Sequence, residues 1–484
     1  MKKKYVLSSD QKKALEKFVS WLDKKETREP FLLSGFAGSG KTYLSTKLLK
    51  IVEDKEICWT VAAPTHKAVG VLRKAIANEG LRATWYPSTI HRLLRLRLKR
   101  KGDLEICEKT RQTDKSLDQL GLVLIDEASM IDSSLLEIVI SCAHEYKTRL
   151  VFVGDPAQLP PVGEDSSAVF LMKRVEKSCL NEVIRHRGPV LQLASLIRKE
   201  TFPCTQPPCF PIISSEQGLI CSLDQQSWLD KAQVALRNAA EKNNPDAARI
   251  LCYTNRFVER LVPHARRAVH GEMADQMSVL PGEVLISRRA VMTPASIEGD
   301  EAEEEPGILF GSNTEFVVED VSTEIYNCSD FDLADQSISS IPEIKTLIAK
   351  VVVGNSSSTI RLMPEVGSES RALLERLMHN LSNKAKTLSK KEARNLWKSF
   401  FFIRDSFASL GPASVLTVHR SQGSTFKEVF IASDIFYARD LSLRRQLAYV
   451  AISRASEEVW LAGSNSANSL TNHWSENISL NFVY

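Results

Sequence analysis

The segment that most constrains this chain is Gly35-Phe36-Ala37-Gly38-Ser39-Gly40-Lys41-Thr42, which fits the pattern G-x-x-x-x-G-K-[ST]. It follows the short apolar run Phe31-Leu32-Leu33 and precedes a helix-patterned stretch from Tyr43 to Val52. In that setting the glycines let consecutive backbone N–H groups wrap a phosphate, and the helix N-terminus adds positive potential. Lys41 is spaced to reach β- and γ-phosphates, and the Thr42 hydroxyl to hold Mg²⁺. A strand–loop–helix unit of this kind belongs in a parallel sheet covered by helices on both faces.

The neighbouring segments extend that sheet. Cys58 to Ala63 reads as a strand ending at Pro64, Gly121 to Ile125 as one ending at Asp126-Glu127, and Arg149 to Val153 as one ending at Gly154-Asp155. Residues 9 to 24 read as a helix, with Leu15, Phe18, Val19 and Leu22 at helical spacing behind Ser8, Ser9 and Asp10. Hydrolysis needs an acid to hold the metal and a group to orient water. Asp126 and Glu127, at the end of a buried strand 85 residues beyond Lys41, are candidates for those two tasks. Gln158, in Gly154-Asp155-Pro156-Ala157-Gln158-Leu159-Pro160, falls beside the same crevice, where a carboxamide can sense a γ-phosphate.

A second series of buried strands (Arg249 to Tyr253, Val429 to Ala432, Val459 to Ala462), with a helix from Leu443 to Ser453, indicates a second α/β unit. It is interrupted by a change in composition. Met292 to Ile344 carries 14 acidic residues and no Lys or Arg, whereas Arg371 to Arg404 carries nine basic and two acidic ones. Residues from about 290 to 410 thus read as an inserted subdomain, β-rich first and then helical and basic. A smaller insertion, 86 to 118, holds nine basic residues. There Leu94, Leu96 and Leu98 alternate with Arg95, Arg97 and Lys99, Lys101-Gly102-Asp103 offers a turn, and a basic β-hairpin is expected.

A chain of 484 residues is too long for one ordinary domain, and 43% apolar with 25% charged residues excludes disorder, collagen and coiled coil. With 63 basic against 59 acidic residues, any nucleic-acid surface must be local. No stretch approaches the ~20 apolar residues that span a bilayer. Ser8, Ser9 and Asp10 cut off any signal core behind the basic start. Nine scattered cysteines without metal spacing read as free thiols of a reducing compartment.

In order, these segments resemble the superfamily 1 helicases, specifically the RecD/Dda-like group that translocates 5′ to 3′ on single-stranded DNA. Gln11, in Ser9-Asp10-Gln11-Lys12-Lys13-Ala14, matches that family's adenine-reading glutamine. The Gly35–Thr42 loop, Leu124 to Met130 and Gly154 to Pro160 are similar to its nucleotide motifs. Ala63-Pro64-Thr65-His66-Lys67-Ala68 and Ser88-Thr89-Ile90-His91 resemble its DNA-contacting motifs. Leu180-Asn181-Glu182-Val183-Ile184-Arg185 matches the first γ-phosphate-sensing arginine at Arg185. Thr417-Val418-His419-Arg420-Ser421-Gln422-Gly423-Ser424-Thr425 is close to the family's most recognisable motif, and Tyr449 to Ala455 matches the arginine finger at Arg454.

The resemblance implies an α/β fold of two RecA-like motor domains with parallel sheets. The first spans 1–85 and 119–178 and carries the ATP site; the second spans 179–290 and 411–484. A hairpin at 86–118 serves as a pin, and a β-barrel (SH3-like) and helical subdomain occupies 291–410. It implies an ATP-dependent DNA helicase using ATP and Mg²⁺. Lys41, Asp126, Glu127, Gln158, Arg185 and Arg454 are the expected catalytic set, and Thr42 and Asp126 the metal ligands. Gln11, Gly35, Gly38, Ser39, Gly40, Lys41, Thr42, Gln422 and Gly423 are expected to hold the nucleotide. Pro64, Thr65, His66, Lys67, Ser88, Thr89, His91, Thr417, His419 and Arg420 are expected to contact the strand, with Trp85 and Tyr86 as stacking candidates.

The partners implied are single-stranded and forked duplex DNA, with single-strand-binding or replication and recombination proteins as candidates. A monomer is expected, acting without a membrane, in the cytoplasm, nucleoid-associated or phage-encoded. The hairpin tip, Lys101 to Asp118, lacks the aromatic that relatives of this group often place there. Three other readings share parts of the pattern: a strand-dependent ATPase that remodels protein–DNA complexes, a P-loop phosphotransferase or nucleotide-gated binding module, and a motor on RNA.

Overall fold

The structure is a computed structural model that describes residues 7–24, 28–101, 104–161, 163–182, 188–198, 212–292, 308–327, 343–354 and 356–463. The chain divides into two compact units, one of residues 1–260 with 415–484 and one of residues 261–414.

The first unit opens with the helix Ser9–Asp23. Ser8 Oγ accepts the Gln11 N–H (3.3 Å) and Gln11 Oε1 accepts the Ser8 N–H (3.2 Å), a reciprocal cap that fixes where the helix starts. Its buried face carries Ala14, Phe18, Trp21 and Leu22. Phe18 and Trp21 meet Phe31 with ring centroids 5.4 and 5.5 Å apart, so the helix is held against the strand that leads into the Gly-rich loop.

That strand, Phe31–Gly35, lies in a six-stranded parallel sheet in the order Ser88–Thr89, Trp59–Ala63, Leu122–Ile125, Arg149–Gly154, Phe31–Gly35, Glu176–Leu180. Leu122–Ile125 is buried throughout, as a central strand covered on both faces must be. Because the strands of Leu122, Arg149 and Phe31 are adjacent and parallel, their carboxyl ends bring Asp126, Asp155 and the Gly-rich loop to one edge of the sheet. Glu176–Leu180 closes the sheet beside Phe31–Gly35, so the first lobe runs past the expected boundary at 178 to Leu180, which is buried in its core.

A second six-stranded sheet lies in the same unit: Val415–Thr417, Ala248–Cys252, Phe426–Ile431, Ala455–Ala462, Gly218–Leu223 and Ile213–Ser215, all parallel but the last. Trp228 anchors its helical layer, donating from Nε1 to the Trp460 carbonyl (3.0 Å).

The hairpin is shorter than its leucine alternation suggests. Ile90–Leu93 is helical, and Leu94 and Leu96 are buried in the first lobe's core. The paired strands are Arg97–Lys101 and Leu104–Glu108, in register Arg97↔Glu108 to Lys101↔Leu104. Burial of Leu94 and Leu96 outcompetes the period-two pattern, and the turn residues Gly102 and Asp103 lie outside the described residues.

The second unit holds a five-stranded antiparallel sheet: Ser356–Arg361, Ile344–Val353, Glu315–Tyr326, Val284–Ser287 and Leu410–Pro412. It thus takes in Val284–Ser287 and, from Leu410–Pro412, Gly411 and Pro412, beyond the expected boundaries of 291 and 410. The sheet curls so that its two edges meet in a parallel bridge, Leu362↔Ala408. The helices Glu369–Thr387 and Lys390–Asp405 pack Leu374, Leu377, Leu381, Leu396 and Ile403 against Tyr326 and Ile344. No helix among the described residues is long and apolar enough to cross a membrane.

Candidate active site

The Gly-rich loop is built for close approach. Gly38 and Gly40 take φ of 78° and 80°, and a Cβ on Gly40 would lie 2.6 Å from Gln11 Nε2. Gln11 is buried and donates to the Ser39 carbonyl (3.2 Å), which ties the loop to the first helix. A Cβ on Gly35 would fall 2.7 Å from Ser39 Oγ, a buried hydroxyl without a hydrogen-bond partner among the described residues. The helix Lys41–Asp54 has no side-chain cap, so its first N–H groups face the loop's concavity. Lys41 Nζ donates to the carbonyls of Gly35 (2.7 Å) and Phe36 (3.1 Å).

Asp126 and Glu127 stand beside it. Burial and the adjacent Glu127 carboxylate push the Asp126 carboxyl up to about 7, against the Glu127 N–H on Oδ1 (2.8 Å) and the Lys41 charge, which pull it back. Glu127 sits in the left-handed region (φ 53°, ψ 45°), a conformation that costs a non-glycine residue ~1–3 kcal/mol. These groups fit Mg²⁺ with a triphosphate: a glycine cradle, a lysine, uncapped helix amides, a buried hydroxyl and a carboxyl whose ionisation a divalent cation would restore.

Several contacts join the two lobes of this unit. Tyr449, on the second-lobe helix Leu441–Ser453, donates its O–H to Asp155 Oδ2 (2.6 Å) and accepts the Ala37 N–H (2.9 Å). Burial, with the Asp155 charge and bond, holds this phenol well above its ordinary value, so it remains a donor. Gln422 Nε2 donates to the Leu159 carbonyl (3.0 Å). Gly423 (φ 72°) approaches so closely that a Cβ there would be 3.3 Å from Thr65 Oγ1, 3.4 Å from Ala68 Cβ and 3.8 Å from Glu127 Oε1. Gln158 is buried with its Oε1 3.5 Å from Ser129 Oγ. Replacing Tyr449 with Phe leaves the Ala37 N–H and one Asp155 oxygen without their partner. It should cost ~1–3 kcal/mol, read as a lower midpoint of thermal unfolding.

Other sequence-predicted residues lie elsewhere. Arg454 is buried on its own lobe, donating to the carbonyls of Val450 (3.3 Å) and Ser424 (3.2 Å) and to Ser453 Oγ (3.1 Å). Arg185 lies outside the described residues. Lys67 pairs with Asp246 of the second lobe (2.9 Å) and lies 4.8 Å from the Phe426 ring centroid, so its charge is spent on an inter-lobe contact. Thr65 and Thr89 cap the helices His66–Asn78 and Ile90–Leu93, accepting the N–H of Ala68 (3.2 Å) and Arg92 (3.3 Å) while keeping an O–H to donate.

Pro64, Ser88 and His91 accompany Thr65 and Thr89 at the ends of Trp59–Ala63 and Ser88–Thr89, and Thr417, His419 and Arg420 follow Val415–Thr417. Desolvation, then Arg73, Arg92 and His91, hold His66 below the usual imidazole range, and burial lowers His419. Both are therefore neutral hydrogen-bonding groups at pH 7. Trp85 packs on the first core, whereas Tyr86 is 72% exposed with the Arg73 guanidinium 4.1 Å from its ring centroid.

Sequence reasoning missed Tyr449, Phe36 and Asp246, and also Arg198, whose guanidinium lies 3.4 Å from the Phe36 ring centroid. Tyr449 and Phe36 stood inside recognised motifs without a role, and Asp246 and Arg198 carry no local pattern.

Comparison with known proteins gives two matching family models, an AAA domain over residues 6–203 and a UvrD-like helicase C-terminal domain over residues 412–462. The chain is similar to the ATP-dependent DNA helicase dda of Enterobacteria phage T4, with 22% identity over 90% of this chain and 95% of that protein. It is 34% identical to the uncharacterized protein R530 of Acanthamoeba polyphaga mimivirus over 30% of this chain, spanning 32% of that protein's length. It is 31% identical to the RecBCD enzyme subunit RecD of Haemophilus influenzae over 28% of this chain and 23% of that subunit.

Proposed function

Because this chain belongs to the superfamily 1 helicases of the RecD/Dda type, we propose that it moves 5′ to 3′ along single-stranded DNA and separates duplex ahead of it, driven by Mg-ATP hydrolysis between the two lobes of its first unit. The observation that carries this reading is the seating of second-lobe groups on the nucleotide loop and its acids: Tyr449 on Ala37 and Asp155, Gln422 on Leu159, Gly423 beside Glu127. A phosphotransferase has no need of a second lobe that completes the site.

In this reading the amides of Gly38, Ser39 and Gly40 and the Lys41 ammonium hold the phosphates, Gln11 supports the adenine end, and Thr42 and Asp126 hold Mg²⁺. The metal, when bound, neutralises charge on the β- and γ-phosphates. Glu127 orients the attacking water, and Gln158 senses the γ-phosphate. The second lobe adds Arg185 and Arg454, with Gln422 and Gly423 at the seam. Closing the lobes completes this set, and loss of the terminal phosphate releases it, which converts turnover into displacement.

The strand is held by Pro64, Thr65, His66, Ser88, Thr89, His91, Thr417, His419 and Arg420, whose short donors suit phosphate and sugar contacts without reading sequence. Lys67 supports the seam from the Asp246 side. Tyr86, exposed and backed by Arg73, is the base-stacking candidate. The partners are single-stranded and forked DNA, with single-strand-binding or replication proteins as further candidates. The proposed setting is a monomer in the cytoplasm, nucleoid-associated or phage-encoded in a bacterial host.

Forked duplexes with a free 5′ or a free 3′ tail, and with DNA or RNA tails, test this directly. Unwinding is expected only from the 5′ DNA tail, and shortening Arg97–Thr110 should spare strand-stimulated ATPase while losing duplex separation. Strand-stimulated ATPase with no unwinding from either tail would favour the remodelling reading.

A further inference from the structure

The second lobe lays two helices, Pro189–Arg198 and Leu441–Ser453, side by side, and each sends one polar side chain onto consecutive residues of the Gly-rich loop. Tyr449 takes the Ala37 N–H. Arg198, the last residue of its helix, stacks its guanidinium 3.4 Å from the Phe36 ring centroid. Arg198 Nη1 is buried, and among the described residues it has no hydrogen-bond partner. A buried guanidinium N–H without an acceptor is expensive, ~1–3 kcal/mol and more for a charged donor, so its acceptor is expected to be something the site binds.

The position identifies that acceptor. Lys41 Nζ donates to the carbonyl of the same Phe36 (3.1 Å), so both cations converge on one end of the loop, the end at which a lysine of this pattern meets β- and γ-phosphates. The Arg198 charge is also felt at the Tyr449 hydroxyl, where it opposes the rise caused by burial and Asp155. Arg454, by contrast, is committed to carbonyls of its own lobe.

Resting on the helicase reading above, we propose that Arg198 is a phosphate-contacting residue of the second lobe, aimed at the terminal phosphate of the bound nucleoside triphosphate by its stack on Phe36. A planar guanidinium can lie on a ring face and still direct N–H groups along its edge to phosphate oxygens, which an ammonium cannot do. Because Arg198 and Tyr449 arrive on packed helices of one lobe, they reach and leave the loop together.

The test uses the full chain. Single-strand-stimulated kcat and KM for ATP are measured for wild type, Arg198→Ala, Arg198→Lys and Phe36→Leu, with affinities for ADP and for ADP plus aluminium fluoride, a mimic of the transferring phosphoryl group. Arg198→Ala should lower kcat ~10²-fold or more, leave ADP affinity unchanged and lose the preference for the aluminium fluoride complex. Arg198→Lys, which keeps the charge and the stem, should recover part of kcat, and Phe36→Leu should fall between. An unchanged kcat in Arg198→Ala overturns the assignment. So does a loss of ADP affinity and thermal midpoint in step with kcat, which would make Arg198 a packing residue. A wild-type protein without strand-stimulated ATPase would instead remove the helicase reading itself.

Discussion

Replacing Lys41 with Ala is expected to lower ATP turnover by at least ~10²- to 10³-fold and to abolish unwinding, while single-strand binding stays in place. The ammonium already lies on the Gly35 and Phe36 carbonyls, at the mouth of a loop whose glycines and uncapped helix amides leave room for an anion. No other cation of the first lobe donates to that loop among the described residues' hydrogen bonds, so its loss removes charge that the first lobe does not replace. Strand affinity should persist because the strand-contact candidates occupy other strand ends. Turnover, fork unwinding and fluorescence-anisotropy binding of a labelled oligonucleotide, measured together, check all three. Unwinding that survived the change would discard the motor.

Replacing Asp126 with Asn should remove Mg²⁺-dependent turnover, by ~10²-fold or more for a group that positions a metal worth several kcal/mol, and yet should stabilise the metal-free protein at alkaline pH. The sign follows from the shift. The carboxyl rises from 3.8 to about 7 because it is buried beside Glu127. Between those values the native state keeps a proton that the unfolded chain has released, so native stability falls as pH rises through that window. Asn carries no ionisation to oppose. In chelator, the variant's gain in thermal midpoint over wild type should therefore be larger at pH 8 than at pH 5. An equal gain at both would mean that Asp126 is not the residue that titrates.

Much of the motor was legible because its chemistry is local in the chain. The loop at Gly35–Thr42 and the acids at Asp126-Glu127 lie at strand ends, and strand ends are readable from apolar runs. What spans the chain was not. Nothing in the residues around Lys67 announces Asp246, and nothing near Phe36 announces Arg198; both pairings exist only once two sheets are folded side by side. The hairpin start at Arg97 was missed for a related reason. Leu94 and Leu96 alternate like a strand, but the core of the first lobe buries them, and an alternation pattern does not record which partner will cover it. Lys67 illustrates the same limit for function, since a lysine beside threonines proposed to contact the strand reads as a phosphate ligand until its carboxylate partner, Asp246, is in view.

The bridge Leu362↔Ala408 has a consequence for how the second unit can vary. Met363 N donates to the Ala408 carbonyl (2.9 Å) and Ala408 N to the Arg361 carbonyl (2.7 Å), so the excursion carrying the two helices leaves and re-enters at a single rung. Such a loop-out can lengthen, shrink or be exchanged for another while the strands around it keep their hydrogen-bonding neighbours. The helical appendage is thus a detachable accessory on a fixed ring, and a lineage can refit it without redesigning what holds it.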